Sequence, residues 1–297
     1  MGTVLGANQY GKAENRVVRI VRDTPRHEIH DLNVSTSLRG AFEDAHVTGD
    51  QAQVLPTDTQ KNTAFAYAKL HGISSIEDYA LALGNRLLEA TPAATQAQVR
   101  VEEYAWDRLG QHSFKRRGGE VRTCVVTVGR EATHVLSGLQ DLVLLNSTAS
   151  EFKGFLKDEF TTLAETDDRI LATSLVARWR HTGTDHSSKD WNASYDEVRD
   201  CLLSTFATTY SRALQETLHL MGNAVLNSNQ DVAEIRFSAP NKHHFLVDFS
   251  GFDVEGLTND GEVFIAADRP YGLIEAQVSR DDAAPPGDAW LNVPGFC

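Results

Sequence analysis

Residues 6–13 of this 297-residue chain read GANQYGKA. Gly6, Gly11 and Lys12 have the G-x-x-x-x-G-K spacing of a loop that wraps phosphate in backbone N–H groups. That chemistry needs a strand before the first glycine, a helix straight after the lysine, and a Ser or Thr for magnesium. Here only MGTVL precedes Gly6, Ala13 stands at the hydroxyl position, and the β-branched NRVVRIVRD that follows reads as a strand. The nucleotide reading fails on all three counts and leaves Lys12 unassigned. Metal chemistry is the next candidate, because the chain has 11 histidines, including the adjacent His243 and His244. Successive strand residues face opposite ways, which groups His243 with Phe245 and Val247, and His244 with Leu246 and Asp248. No H-x-x-x-H or H-E-x-x-H occurs, and no cysteine lies near His181 and His186. Cys124, Cys201 and Cys297 are widely spaced without a C-x-x-C and read as reduced thiols of a cytoplasmic protein.

Positioning any of these residues is the task of the elements around them. The pattern NRVVRIVRD followed by HEIHDLNVSTSLRG predicts a strand hairpin ending at Gly40. Thr57 or Asp58 is expected to cap a helix running to about Lys69, and Ser74 with Glu77 to form a capping box for a second. Two strands follow in QVRVEEYAWDRL and EVRTCVVTVG. The second half repeats that order: strands in THVLSGLQDLVLLNST and RILATSLVARWRH, a helix opened by Ser194 and Glu197, and another from about Ser211 to Leu226. The strands AEIRFS, HHFLVDFS, EVFIAAD and GLIEAQVSR complete it. Each half thus reads strand–strand–helix–helix–strand–strand, an α+β unit whose antiparallel sheet keeps open edges that invite closure by neighbours into a barrel. A boundary is expected between 1–133 and 134–297. The formal charge of −13 argues against nucleic acid or an anionic membrane as partner. No stretch has the length of a membrane span or the pattern of a signal peptide.

The segments NQYGKAENRV, TDTQKNT, SEFKGFLKDEFTTLAETDDRILAT, PNKHHFLVDF and ADRPYGLIEA resemble, in order, blocks of the urate oxidase (uricase) family. The resemblance implies the tunnelling fold (T-fold), with two ββααββ repeats per chain and four chains forming a barrel. It also implies oxidation of urate by O2 and water to 5-hydroxyisourate and hydrogen peroxide, with no metal or organic cofactor. Triplet O2 accepts an electron pair poorly, so urate stripped of a further proton would itself be the reductant, one electron at a time.

In that likeness Lys12 is the base, bonded to Thr57, and His243 completes the relay. Phe152 matches the residue stacked on the purine, and Arg169 the guanidinium gripping its carbonyl edge, where a planar fork suits a planar acceptor. Gln215 matches the partner of the opposite pyrimidine edge, and Asn241 the residue over the ring at the O2 and water site. Asp58 and Leu214 correspond to backbone contacts. Taken singly, each has an ordinary alternative, such as a helix cap for Thr57, a core ring for Phe152 or a turn for Asn241. Lys12, Thr57 and Asp58 fall in the first repeat and the rest in the second, and in the family the two sets meet across a subunit interface. The resemblance therefore implies a homotetramer. Two departures stand out: NSTAS, with Asn146 and Ala149, replaces the family's usual K-S-T-[GN]-S, and the chain ends in GFC rather than S-K-L, so no peroxisomal address is expected. The rival reading is a non-catalytic purine-binding assembly protein that kept the T-fold; it predicts loss of Lys12, Thr57 or His243, all of which are present.

Overall fold

A computed structural model describes residues 2–183, 189–267 and 269–293. His186 and Cys297 lie outside them. The first half runs through β1 (Tyr10–Val21), β2 (Glu28–Gly40), a short α1 (Glu43–Val47), α2 (Thr57–Leu70), α3 (Ile76–Ala90), β3 (Ala94–Glu103), the pair β4 (Trp106–Arg108) and β5 (Phe114–Arg116), and β6 (Val121–Gly129). The second half runs through β7 (Thr133–Asn146), β8 (Leu171–His181), α4 (Trp191–Thr208), α5 (Leu214–Ser228), β9 (Val232–Asn241), the pair β10 (His244–Leu246) and β11 (Phe264–Ala266), and β12 (Gly272–Ser279). Eight strands form one antiparallel sheet in the order β1-β2-β3-β6-β7-β8-β9-β12, so each half is ββααββ with a small hairpin inserted before its last strand.

Alternation along the strands decides which face the helices cover. Leu32, Val34 and Leu38 of β2, Val99 and Val101 of β3, and Val126 and Val128 of β6 pack with Ala64, Tyr79, Leu83 and Leu87 of α2 and α3. A second core joins Leu175, Ala177 and Trp179 of β8 and Ile235 and Phe237 of β9 to Val198, Leu202, Leu218 and Met221 of α4 and α5. The in-between positions give the other face its polar lining, with Gln98, Arg100, Arg178, Arg180 and Glu234. The chain after β12 crosses this polar face: Gln98 Nε2 donates to the Leu291 carbonyl (2.9 Å) and Trp290 Nε1 to Glu234 (2.7 Å).

Side chains lock the two halves together where α3 meets α4. Trp191 Nε1 donates to Asp78 (2.9 Å), and Asn192 Nδ2 to the Ser74 carbonyl (2.9 Å). Arg122 bridges Glu77 and Asn192, both at 2.7 Å. Glu77 is fully buried and also accepts from Ser137 Oγ at 2.7 Å. Burial raises its pKa against the pull of the Arg122 guanidinium.

The helix starts differ in detail from the sequence expectations. Ser75, not Ser74, caps α3, accepting from the Asp78 N–H at 3.0 Å. Asp190 caps α4, which leaves Ser194 inside the helix. Pro56 holds the cap position of α2, and α5 starts at Leu214 rather than Ser211, after Ala213. Neither α2 nor α5 has a side-chain cap bond.

Candidate active site

Lys12 lies inside β1 rather than ahead of it, opposite Thr36 of β2. The register shifts between Lys12 and Asn15, a bulge in which Glu14 takes φ 57° and donates its N–H to Ser35 Oγ (3.0 Å). Gly11 explains the glycine next to the lysine, since a Cβ there would overlap the Thr36 carbonyl oxygen, so β1 can close on β2 only with hydrogen at this position. α2 packs on β1 and begins at Thr57. Thr36 Oγ1 donates to Gln60 Oε1 (2.8 Å), fixing the first turn of α2 to the strand beside Lys12. Lys61 holds the Asp58 carboxyl below its usual value, with Asn62 and the charge of Lys12 adding to the effect. Lys12, Thr57 and Asp58 therefore share one corner of the chain.

The second corner gathers four segments. Asn241 ends β9, paired with Thr173 of β8 and Gly272 of β12. Two residues on, His243 stacks on Phe245 (centroids 5.8 Å apart) and its carbonyl accepts from the Ala267 N–H (2.9 Å). These two aromatic rings share a face, as alternation predicted, although the strand itself shrinks to His244–Leu246. Arg169 lies two residues before β8, and its guanidinium carbon is 4.9 Å from the centre of the Phe152 ring. Phe152 is stacked in turn on Phe155, centroids 5.0 Å apart and planes 16° from parallel. Burial lowers the pKa of Arg169. Leu214 is buried and Gln215 exposed, the first two residues of α5.

Hydrogen bonds unite these segments. Phe152 and Thr166 exchange backbone bonds (2.9 and 3.0 Å), while Glu151 N–H donates to Ser211 O and Ser211 N–H to Ala149 O, both at 2.9 Å. Asp168 accepts from Thr148 Oγ1 (2.6 Å) and from the N–H groups of Ser150 (3.3 Å) and Arg169 (3.1 Å). A cationic fork thus adjoins an aromatic slab and the free N–H groups of an uncapped helix start, which suits a flat anion with carbonyl edges. Sequence reasoning missed Phe155 and Gly11. Phe155 was visible as the second aromatic of EFKGF, and Gly11 as the neighbour of Lys12.

One chain does not bring the two corners together. β1 and β8 are five strands apart, about 24 Å along the sheet at ~4.8 Å per strand. The pairing row of Lys12 runs through Thr36, Val99 and Val126 to Val135, beside the Arg180 end of β8. Arg169 is at the opposite end, about 30 Å along that strand at ~3.3 Å per residue. Among the described residues no group of three or more His, Cys, Asp or Glu is placed to hold a metal ion, and no helix is long and apolar enough to cross a membrane.

The family model described as uricase matches residues 8–127 and 135–275. A uricase from Arthrobacter globiformis is 47% identical over 296 residues, covering 99% of this chain and 96% of the relative. A uricase from Dictyostelium discoideum is 35% identical, covering 92% of this chain and 96% of the relative. The crystal structure of the Arthrobacter globiformis uricase superposes with a TM-score of 0.93 at 46% identity, covering 98% of this chain and all of that one. A urate oxidase from Bacillus sp. TB-90 shares the fold at 22% identity, with a TM-score of 0.79 over 92% of this chain and all of that one.

Proposed function

The chain belongs to the uricase family, and from that premise we propose that its two corners, contributed by two copies, form each urate-oxidising site. The chain is a urate oxidase, an oxidoreductase with the mixed α and β architecture of its relatives. Urate, O2 and water give 5-hydroxyisourate and hydrogen peroxide: two electrons pass from the purine to O2, and the oxygen of water remains on the product.

Arg169 and Gln215 hold the two polar edges of urate, and Phe152 supports the ring. The backbone N–H groups at the start of α2 and α5, lacking side-chain caps, are the donors that Asp58 and Leu214 offer. The Thr57 hydroxyl, which both donates and accepts, relays to Lys12 the proton whose loss makes urate oxidisable. His243 completes the relay on the second corner, and Asn241 holds O2 and then water over the ring.

Internal symmetry supports the shared site. Within the chain β6 meets β7, and the start of α4 meets the start of α3. The repeat maps β6 onto β12, β7 onto β1, α3 onto α5 and α4 onto α2. A second copy whose β1 joins β12 would therefore bring its Thr57 and Asp58 to Leu214 and Gln215, as Trp191 and Asn192 approach Ile76 and Glu77. Capping agrees: α3 and α4, which meet inside the chain, have side-chain caps, while α2 and α5 keep free N–H groups for a ligand. The same pairing at both edges builds a closed barrel, and the family's homotetramer stacks two of them. The division into repeats at residues 133 and 134 is part of this reading. Widely spaced free thiols at Cys124 and Cys201 support a reducing, cytoplasmic setting.

The deciding experiment is an oxygen-electrode trace with urate after exhaustive chelation, with peroxide measured. Uptake that survives chelation is expected; uptake restored only by metal would overturn the cofactor-free mechanism. Lys12→Ala and Thr57→Ala should each lower turnover by about 10²–10⁴-fold, and unchanged turnover would sink the relay. Urate binding without O2 uptake would favour the non-catalytic reading.

A further inference from the structure

Building on the urate site described above, we propose that Asp168 is a positioning residue that sets Arg169, Phe152 and the start of α5 in one geometry for the substrate. Its carboxylate ties the two loops of that corner together, taking Thr148 and Ser150 from one and Arg169 from the other. Oδ2 accepts from Thr148 Oγ1 at 2.6 Å, and Oδ1 accepts from the N–H groups of Ser150 and Arg169. The Asp168 carbonyl accepts from Thr166 Oγ1 at 2.6 Å, and Thr166 pairs with Phe152.

The clasp reaches Arg169, Phe152 and the start of α5 by short routes. Arg169 is the next residue, and its own N–H is held. Phe152 is two residues beyond Ser150 and is fastened to Thr166. Ser150 forms a bridge to Ser211, whose hydroxyl accepts from Thr217 Oγ1 (2.8 Å) within the first turn of α5. The turn at Ala149, with φ 61°, directs the Ser150 N–H toward the carboxylate. None of these bonds places Asp168 on the substrate, so its influence passes through the residues it holds. A shift of about 1 Å in such groups costs on the order of 10²-fold in rate.

Chemistry separates the variants. An amide at this position can keep its oxygen on the two N–H groups and donate to Thr148 Oγ1, so Asp168→Asn preserves the clasp, whereas Asp168→Ala removes it. The test measures anaerobic urate binding and steady-state turnover, with thermal melting as a check on folding. Asp168→Ala is expected to raise Kd and KM about tenfold or more with a smaller fall in kcat, and Asp168→Asn to stay within about threefold of wild type. In an Arg169→Ala background Asp168→Ala should cost a clearly smaller factor, because the two act on one contact. An unchanged Kd in Asp168→Ala, or the same factor in both backgrounds, would overturn the proposal. If Asp168→Ala does not fold, Thr148→Val replaces it in the same cycle, with the same two readings. A wild-type protein that neither binds nor oxidises urate would instead overturn the functional reading.

Discussion

Gly11 shows how much of this site rests on hydrogen-sized detail. A methyl group there would strike the Thr36 carbonyl, and relief means moving the strand segment that carries Lys12. Gly11→Ala is expected to cost about 1–3 kcal/mol in urea unfolding, a typical overpacking penalty, and to lower turnover more than urate binding. Ala149 makes the opposite case. Its φ of 61° is left-handed, the conformation that glycine and asparagine take with least strain. The family's habit of placing one of them here then has a physical reason. Ala149→Gly should gain up to about 1 kcal/mol, read as a higher urea midpoint with an unchanged slope.

Between elements, the joint of α3 and α4 carries the clearest charge effect. Glu77 is buried, and removal of Arg122 would leave its charge unpaired, a loss of about 3–5 kcal/mol near neutral pH. The sign of the pH dependence follows from its raised pKa. Between the ordinary carboxylate value and that raised value, folded Glu77 keeps a proton that the unfolded chain has released, so stability falls as pH rises through the window. Arg122→Ala should therefore unfold more easily near neutral pH than near pH 5, and adding Glu77→Gln should recover much of the loss. An equal deficit at both pH values would contradict the assignment. Much at this scale was legible in the sequence. Buried strands announced themselves by alternating Val and Leu, and the order of elements by the repeat. The caps slipped by a residue or more because Ser74 and Ser75, followed by Glu77 and Asp78, satisfy the same pattern twice, and because Asp190 outcompetes Ser194 from outside the predicted helix. The bulge after Lys12 was hidden, since bulges follow from pairing with β2 and leave no periodic mark. The site positions came from family resemblance; the packing of Arg169 on Phe152 and the tie from Glu151 to Ser211 did not, because these contacts join segments distant in sequence.

For the whole molecule the decisive fact is that the two corners lie at opposite ends of one sheet. With the site shared between copies as proposed, activity is expected to depend on assembly. Specific activity is expected to fall on dilution while circular dichroism stays constant, because copies separate before each chain unfolds. A size-exclusion peak at the mass of one 32.7 kDa chain with full urate turnover would contradict the shared site. The sequence hinted at this through its repeat and its division of motifs, but the distance between corners belongs to the register of eight strands.

The bare edges of β1 and β12 also offer a handle on the enzyme from outside. Each exposes a row of backbone donors and acceptors awaiting a strand. A synthetic peptide copying Gly272–Ser279 would occupy the β1 edge as an impostor, with every backbone bond of the proposed joint and no corner attached. Its inhibition would not yield to excess urate and would be strongest on freshly diluted protein, an inhibitor that never enters the pocket it silences.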